Sequence, residues 1–231
     1  MPNSNLLLAS LSGADSKLLS PHLKSVRLAP RLVLFEAGGT VDRVYFPSGS
    51  IISLVVTLST GETIEAAMVG KDGVVGASAA LDGKVSLSRA IVQLGGDAMT
   101  CKLDVLKKAA MQSQRLLALL IRHEQTVYAQ AQQSAACNAT HNVEARLCRW
   151  MLRARDLSGS DTLPFTQEFL AETLGVRRTS VSLVANTLQQ AGLIKYARGR
   201  IQIVDLEGLR ETACECYATV NANYQVLLSR K

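Results

Sequence analysis

The spacing of apolar positions changes character once along this chain, near residue 103. Before that point the apolar residues come in short runs. Val44-Tyr45-Phe46 and residues 51–56 and 63–68 have the length and β-branched content of strands. Pro47-Ser48-Gly49 and Ser59-Thr60-Gly61-Glu62 supply turns between them. With glycine recurring from residue 38 to residue 96, this texture predicts a small antiparallel roll or barrel. Residues 12–23 ahead of it read as one or two short helices.

From Leu103 glycine and proline are absent until Gly159, and the apolar spacing becomes helical. Residues 113–139 predict one helix of about 38 Å. It carries two neighbouring apolar stripes, Leu116, Leu120 and Val127 on one and Leu117, Ile121 and Tyr128 on the other, which Ala131 and Ala135 continue. One domain needs one stripe, and a second can form a seam with another copy of the chain. A helix wedged inside one domain would also use both. Residues 141–156 predict a further helix, ended by Ser158-Gly159-Ser160.

The last third repeats the helical spacing in two short pieces. Thr166 is a good N-cap before Phe169, Leu170 and Leu174, and Gly175 ends that helix. A second helix from residue 177 to about 190 buries Val181, Val184, Ala185 and Leu188. Two amphipathic helices joined at a glycine, with small Ala171 where they cross, form the pattern of a helix-turn-helix. Residues 193–196 and 200–204 then read as two strands around Ala197-Arg198-Gly199, a wing. The predicted fold is α+β: a roll over residues 1–112, a dimerisation helix over 113–140 and a winged helix-turn-helix over 141–231.

Charge sharpens this picture. The 231 residues carry a net charge of +6, with 25 basic and 19 acidic residues. Residues 174–203 hold five basic residues, Arg177, Arg178, Lys195, Arg198 and Arg200, and no acid. Any carboxylate in this stretch would face a row of phosphates if the partner were duplex DNA. Opposite the buried stripe of the second helix stand Thr179, Leu183, Asn186 and Gln190, flanked by Ser180 and Ser182. Arg178, Thr179, Ser182 and Leu183 are the expected base readers, because a helix enters the major groove with its N-terminal residues against base edges. Leu183 suits a thymine methyl, and it suits an ordinary exposed leucine as well. Thr166, Arg177, Ser180, Lys195, Arg198 and Arg200 are the expected phosphate contacts. A sensor whose winged domain touches another protein instead of DNA is the alternative that the same pattern allows.

At LGVRRTSVSLVANTLQQAGLI and the wing that follows, the chain resembles the Crp–Fnr family of bacterial transcription regulators, and the order of its parts matches that family over nearly all 231 residues. The resemblance implies a homodimer on a two-fold-related operator, with RNA polymerase as a further partner. It implies a cyclic-nucleotide-binding-like roll as well, but the family's Gly-Glu-x-Gly element stands here as Gly73-Val74-Val75-Gly76. Valine cannot accept a hydrogen bond from a ribose hydroxyl. The Arg-Ser/Thr-Ala element stands as Ser88-Arg89-Ala90, with the arginine one place late and so on the other face of a strand. Val74, Ser88 and Arg89 remain the effector-pocket candidates, since a long connection over residues 77–87 could re-register Arg89. Cyclic AMP is not expected. Nor is the iron–sulfur cluster of the oxygen-sensing branch, because no cysteine precedes Cys101. The haem-sensing branch would need ligands, and His22, His123 and Cys101 are isolated in sequence.

Five scattered cysteines suggest reduced thiols and a cytoplasmic protein, with no membrane partner. Cys148 reads as a core residue. Cys214-Glu215-Cys216 would share a face in a strand, whereas a helix over residues 209–226 would point the two thiols about 200° apart and leave them inert. His141 and Glu144 share a helix face, and two ligands do not make a metal site. No cofactor, metal or catalytic residue is expected, and no enzyme.

Overall fold

The computed structural model describes residues 5–81 and 84–229. Two short helices open it, α1 (Leu6–Ala9) and α2 (Gly13–Leu19), each started by a side-chain cap. Asn5 accepts from the Leu8 N–H and Ser12 accepts from the Asp15 N–H. One 3-10 turn over Ser20–His22 completes the N-terminal helices.

Seven strands then form the roll: β1 (Lys24–Leu28), β2 (Val33–Phe35), β3 (Arg43–Pro47), β4 (Ile51–Thr57), β5 (Thr63–Val69), β6 (Arg89–Leu94) and β7 (Gly96–Lys102). They make two antiparallel sheets in the orders β1-β7-β3 and β2-β6-β4-β5. Alternation places Val44 and Phe46 of β3 in the core while Tyr45 is half-buried. β3, β4 and β5 are the strands that the apolar runs predict. β1, β2, β6 and β7 are not. They are short or interrupted by polar residues, and pairing with neighbours fixes them. A short helix, α3 (Ala77–Leu81), follows β5. Residues 82 and 83 of the long 77–87 connection lie outside the described residues.

After α4 (Leu103–Gln112) comes the long helix α5 (Gln114–Thr140), capped by Ser113, whose hydroxyl accepts from the Leu116 N–H at 3.1 Å. Its two stripes have different fates. Leu116, Leu120 and Val127 are buried against the roll. Leu117 and Ala131 are half-buried, and Ile121 and Tyr128 are 43% and 65% exposed. Helix α6 (Val143–Ser158) begins at Asn142, which caps the Ala145 N–H at 2.9 Å, and ends in left-handed Gly159.

The C-terminal part contains β8 (Thr162–Leu163), α7 (Gln167–Leu174), α8 (Arg178–Gln190), β9 (Ile194–Ala197), β10 (Arg200–Ile203), α9 (Leu206–Thr212) and α10 (Cys216–Ser229). The single helix expected over 209–226 is therefore two helices. Ala213 is extended, with φ −72° and ψ 153°, and separates them. No glycine or proline marks this break. It is fixed by tertiary contact, since Cys214 and Cys216 are both buried with Cys137. Helix α10 also leaves the winged part: Val220, Tyr224 and Leu227 belong to the core shared by the roll and α5.

Conversely, Ile51 and Met68 of the roll belong to the core of the winged part. The seam between the two is polar as well as apolar. Trp150 Nε1 of α6 donates to Glu65 Oε1 of β5 at 2.9 Å, and the Ser53 hydroxyl donates to the other oxygen of that carboxylate. Arg153 Nη1 pairs with Asp72 Oδ2 at 2.7 Å, and its guanidinium lies 4.3 Å over the Tyr224 ring. Tyr224 and Gln130 share a hydrogen bond of 2.9 Å.

Candidate nucleic-acid interface

Helix α7 is capped as the sequence predicts, with Thr166 Oγ1 accepting from the Phe169 N–H at 3.2 Å. Gly175 ends it at φ 62°, ψ 44°, a left-handed conformation that glycine adopts without strain. Buried Ala171 lets α7 and α8 cross. Val181, Ala185 and Leu188 of α8 face the core and Val184 is half-buried, so the opposite surface of α8 is turned outward.

That surface carries the expected readers. Arg178, Thr179 and Leu183 are exposed, Leu183 by 70%. Arg177 occupies the N-cap position and makes no side-chain cap, so the first N–H groups of α8 point outward beside two guanidinium groups. A helix start of this kind attracts anions. Ser180 is half-buried. Ser182 differs from its expected role: its hydroxyl lies 2.5 Å from Gln167 Oε1 and 3.1 Å from the Arg178 carbonyl oxygen. Those partners use it to hold α7 against α8.

Arg178 Nε lies 3.6 Å from Glu168 Oε2, with both side chains about two-thirds exposed at 67% and 63%. An exposed pair of that length is worth little and is screened by salt, so Arg178 can exchange it for a phosphate or a base. Arg177 makes no salt bridge among the described residues. Glu62 of the β4–β5 turn lines the same hollow as Arg177 and Arg178, together with Ile64 and Glu168. The acid-free stretch of sequence thus has acids beside it in space.

The wing forms around Arg198 and Gly199, at φ 51° and 72°, with Arg200 opposite Ala197 in the register. A two-residue turn with both φ values positive suits the twist of a hairpin. Gly199 enters it freely, whereas Arg198 does so at a steric cost. Lys195, Arg198 and Arg200 are exposed. Two contacts absent from the sequence reading tie this wing to α8 and to the segment before α7: Gln189 Oε1 accepts from the Tyr196 N–H at 2.9 Å, and Tyr196 Oη donates to the Phe165 carbonyl at 3.4 Å. No local signal in the sequence announces either.

The roll holds a cavity of about 370 Å³, lined by Phe35, Leu54, Val74, Ser88 and, from α5, Glu124 and Tyr128, among others. Val74 and Ser88 are therefore where the sequence reading puts them. Arg89 is not. It lines a separate hollow with Glu65 and Phe169, and its Nε pairs with Glu36 at 3.1 Å. The one-residue shift has turned it to the other face of β6, and the long connection before it does not compensate. Among the described residues the cavity lining holds Val74 and no arginine.

His123 lies fully buried next to this cavity. Its Nε2 accepts from the Val74 N–H at 3.1 Å, while Nδ1 is 3.2 Å from Glu124 Oε1. A Cβ on Gly73 would come within 2.6 Å of Nε2, so only glycine lets the ring approach the 73–74 backbone. Burial pushes the thiol of Cys101 up to about 11, and Cys148 up to about 12, so both are poor nucleophiles.

Comparison with known proteins places this geometry. Residues 145–212 match the Crp-like helix-turn-helix domain. No curated protein matches the chain. Among solved structures, a putative Crp/Fnr-family transcriptional regulator from Eubacterium rectale superposes with a TM-score of 0.69 at 17% identity, over 89% of this chain and 96% of that one. A CRP-family transcriptional regulator from Thermus thermophilus gives 0.68 at 23% identity, over 81% and 96%. The c-di-GMP responsive global regulator from Xanthomonas campestris gives 0.67 at 14%, over 83% and 99%. The chain shares the fold of these structures, and among the described residues no helix is long and apolar enough to cross a membrane.

Proposed function

We propose that this chain, whose residues 145–212 are a Crp-like helix-turn-helix domain on a Crp/FNR-type fold, is a homodimeric transcription regulator that reads two-fold-related duplex DNA. The observation that carries this reading is the exposed cationic surface at the start of α8 and on the wing. Arg177 and Arg178 stand at the start of α8 and Lys195, Arg198 and Arg200 on the wing, all exposed and on a stretch of 30 residues without an acid. Arg178, Thr179 and Leu183 meet base edges. Arg177, Lys195, Arg198 and Arg200 meet phosphates, and Thr166 and Ser180 flank them.

The outer stripe of α5 supports the dimer. Leu117, Ile121, Glu124, Tyr128, Ala131 and Ala135 follow the alternating spacing of four and three residues that keeps a seam on one side of a helix. Glu124 and Tyr128 also line the cavity of the roll. A small, largely apolar ligand there would touch the seam and so act on the separation of the two recognition helices. The test is selection of bound duplexes from a random pool, with sedimentation of the free protein. A symmetric motif with half-sites about 10 base pairs apart and a steep salt dependence supports the reading. A monomer, or salt-insensitive binding without enrichment, overturns it in favour of a winged domain that contacts protein.

A further inference from the structure

The break between α9 and α10 brings together four side chains from two distant parts of the sequence. Cys137, His141, Cys214 and Cys216 each offer one ligand atom, and all four atoms lie within 4.8 Å of one another. Cys137 and His141 are one helical turn apart at the end of α5, and the His141 N–H donates to the Cys137 carbonyl at 3.0 Å. Cys214 lies in the interhelical link and Cys216 opens α10, either side of Glu215, and both are buried with Cys137. Cys137 Sγ is 3.5 Å from Cys214 Sγ, and Cys216 Sγ is 3.6 Å from His141 Nδ1. A tetrahedral zinc site with bonds of about 2.3 Å to sulfur and 2.0–2.1 Å to nitrogen has ligand–ligand edges of about 3.5–3.8 Å.

We infer that Cys137, His141, Cys214 and Cys216 form a closed Cys3His site for one zinc ion, which ties the end of α5 to the link between α9 and α10. The surroundings fit this assignment. His141 Nε2 is 3.3 Å from Glu215 Oε1, a carboxylate placed to accept from Nε2 while Nδ1 is turned to the Cys216 sulfur. Gln133 Nε2 donates to Cys216 Sγ at 3.0 Å. Three thiolates, one neutral imidazole and a divalent ion leave one net negative charge, and the cationic Arg146 and Arg149 both act on Cys137. Four donors and no fifth position mark a structural site. A four-iron cluster would spread its cysteine sulfurs over the corners of a cube, wider than this group. A disulfide between Cys137 and Cys214 would leave Cys216, His141 and the His141–Glu215 pair without a role.

The test uses the full chain, purified reduced and stripped of metal, and titrated with Co²⁺ as a spectroscopic stand-in for Zn²⁺. The expected result is one Co²⁺ per chain, with intense tetrahedral d–d bands and sulfur-to-metal charge transfer, displaced by one Zn²⁺ and accompanied by a higher melting temperature. Cys214→Ser and His141→Ala abolish the tetrahedral bands. Glu215→Gln, at a mostly exposed carboxylate, leaves the stoichiometry at one and weakens affinity about 10–100-fold. Absence of the bands in the wild-type chain overturns the inference. So does unchanged binding in Cys214→Ser and His141→Ala, or a Cys137–Cys214 disulfide in protein isolated from cells. All of these readouts are independent of DNA.

Discussion

Two sets of arginines lie within the same C-terminal part and live in opposite surroundings. Arg146, Arg149 and Arg153 of α6 are 7%, 9% and 6% exposed, whereas Arg177, Arg178, Arg198 and Arg200 are exposed at the start of α8 and on the wing. The first set is turned toward the molecule itself. Arg153 pairs with Asp72, and Arg146 donates through Nη2 to the Leu174 carbonyl at the end of α7. Arg149 lies close enough to the half-buried Glu65 carboxylate to favour its charged form. Among the described residues the second set has only the loose Arg178–Glu168 pair. A buried charge must be matched where it stands. An exposed one without a local partner is free to meet another molecule. Counted by sequence alone, the two sets are indistinguishable in type.

The comparison breaks most easily at its buried end. Asp72→Ala leaves Arg153 uncompensated and is expected to cost about 3–5 kcal/mol in urea unfolding, without changing which DNA sequence is preferred. At the exposed end, Arg178→Ala is expected to cost about 1–3 kcal/mol of binding on the preferred duplex and to relax the choice at one base. Arg198→Ala should weaken all duplexes alike and lower the salt slope by about one, measured by titration at several salt concentrations. Equal losses on all DNA from both changes would remove Arg178 from the base-reading set.

A smaller effect depends on pH. Burial raises Glu65 above the usual 4.5, against hydrogen bonds from Ser53 and Trp150 and the nearby Arg149 and Arg153, which pull it down. The folded protein therefore holds this proton more tightly than the unfolded chain does. The stability it contributes is full below the ordinary carboxylate value and is lost as pH rises through the elevated one. Glu65→Gln should flatten that part of a pH–stability profile. Leu183→Ser is expected to be the mildest, changing stability by less than about 0.5 kcal/mol because the side chain is 70% exposed, while shifting preference at a thymine in the selected motif.

Much of the interface was legible in the chain itself. Period and end signals set the start of α5 at Ser113, the Gly175 turn and the two helices around it, because those features are local: caps, left-handed glycines and apolar spacing act over a few residues. The acid-free stretch located the cationic surface for the same reason. Tertiary structure decided the rest. It turned Ser182 toward Gln167 and Arg89 out of the cavity, placed Glu62 and Glu168 beside the recognition arginines, and packed α10 against α5. It also broke the helix expected over 209–226 at Ala213, where no residue signals a break, and so joined Cys214 and Cys216 to Cys137 and His141 across some 75 positions. Periodicity records which face of an element is buried. What that face meets depends on which distant segment arrives there, and in this chain that arrival set the two-domain seam and the four-ligand cluster.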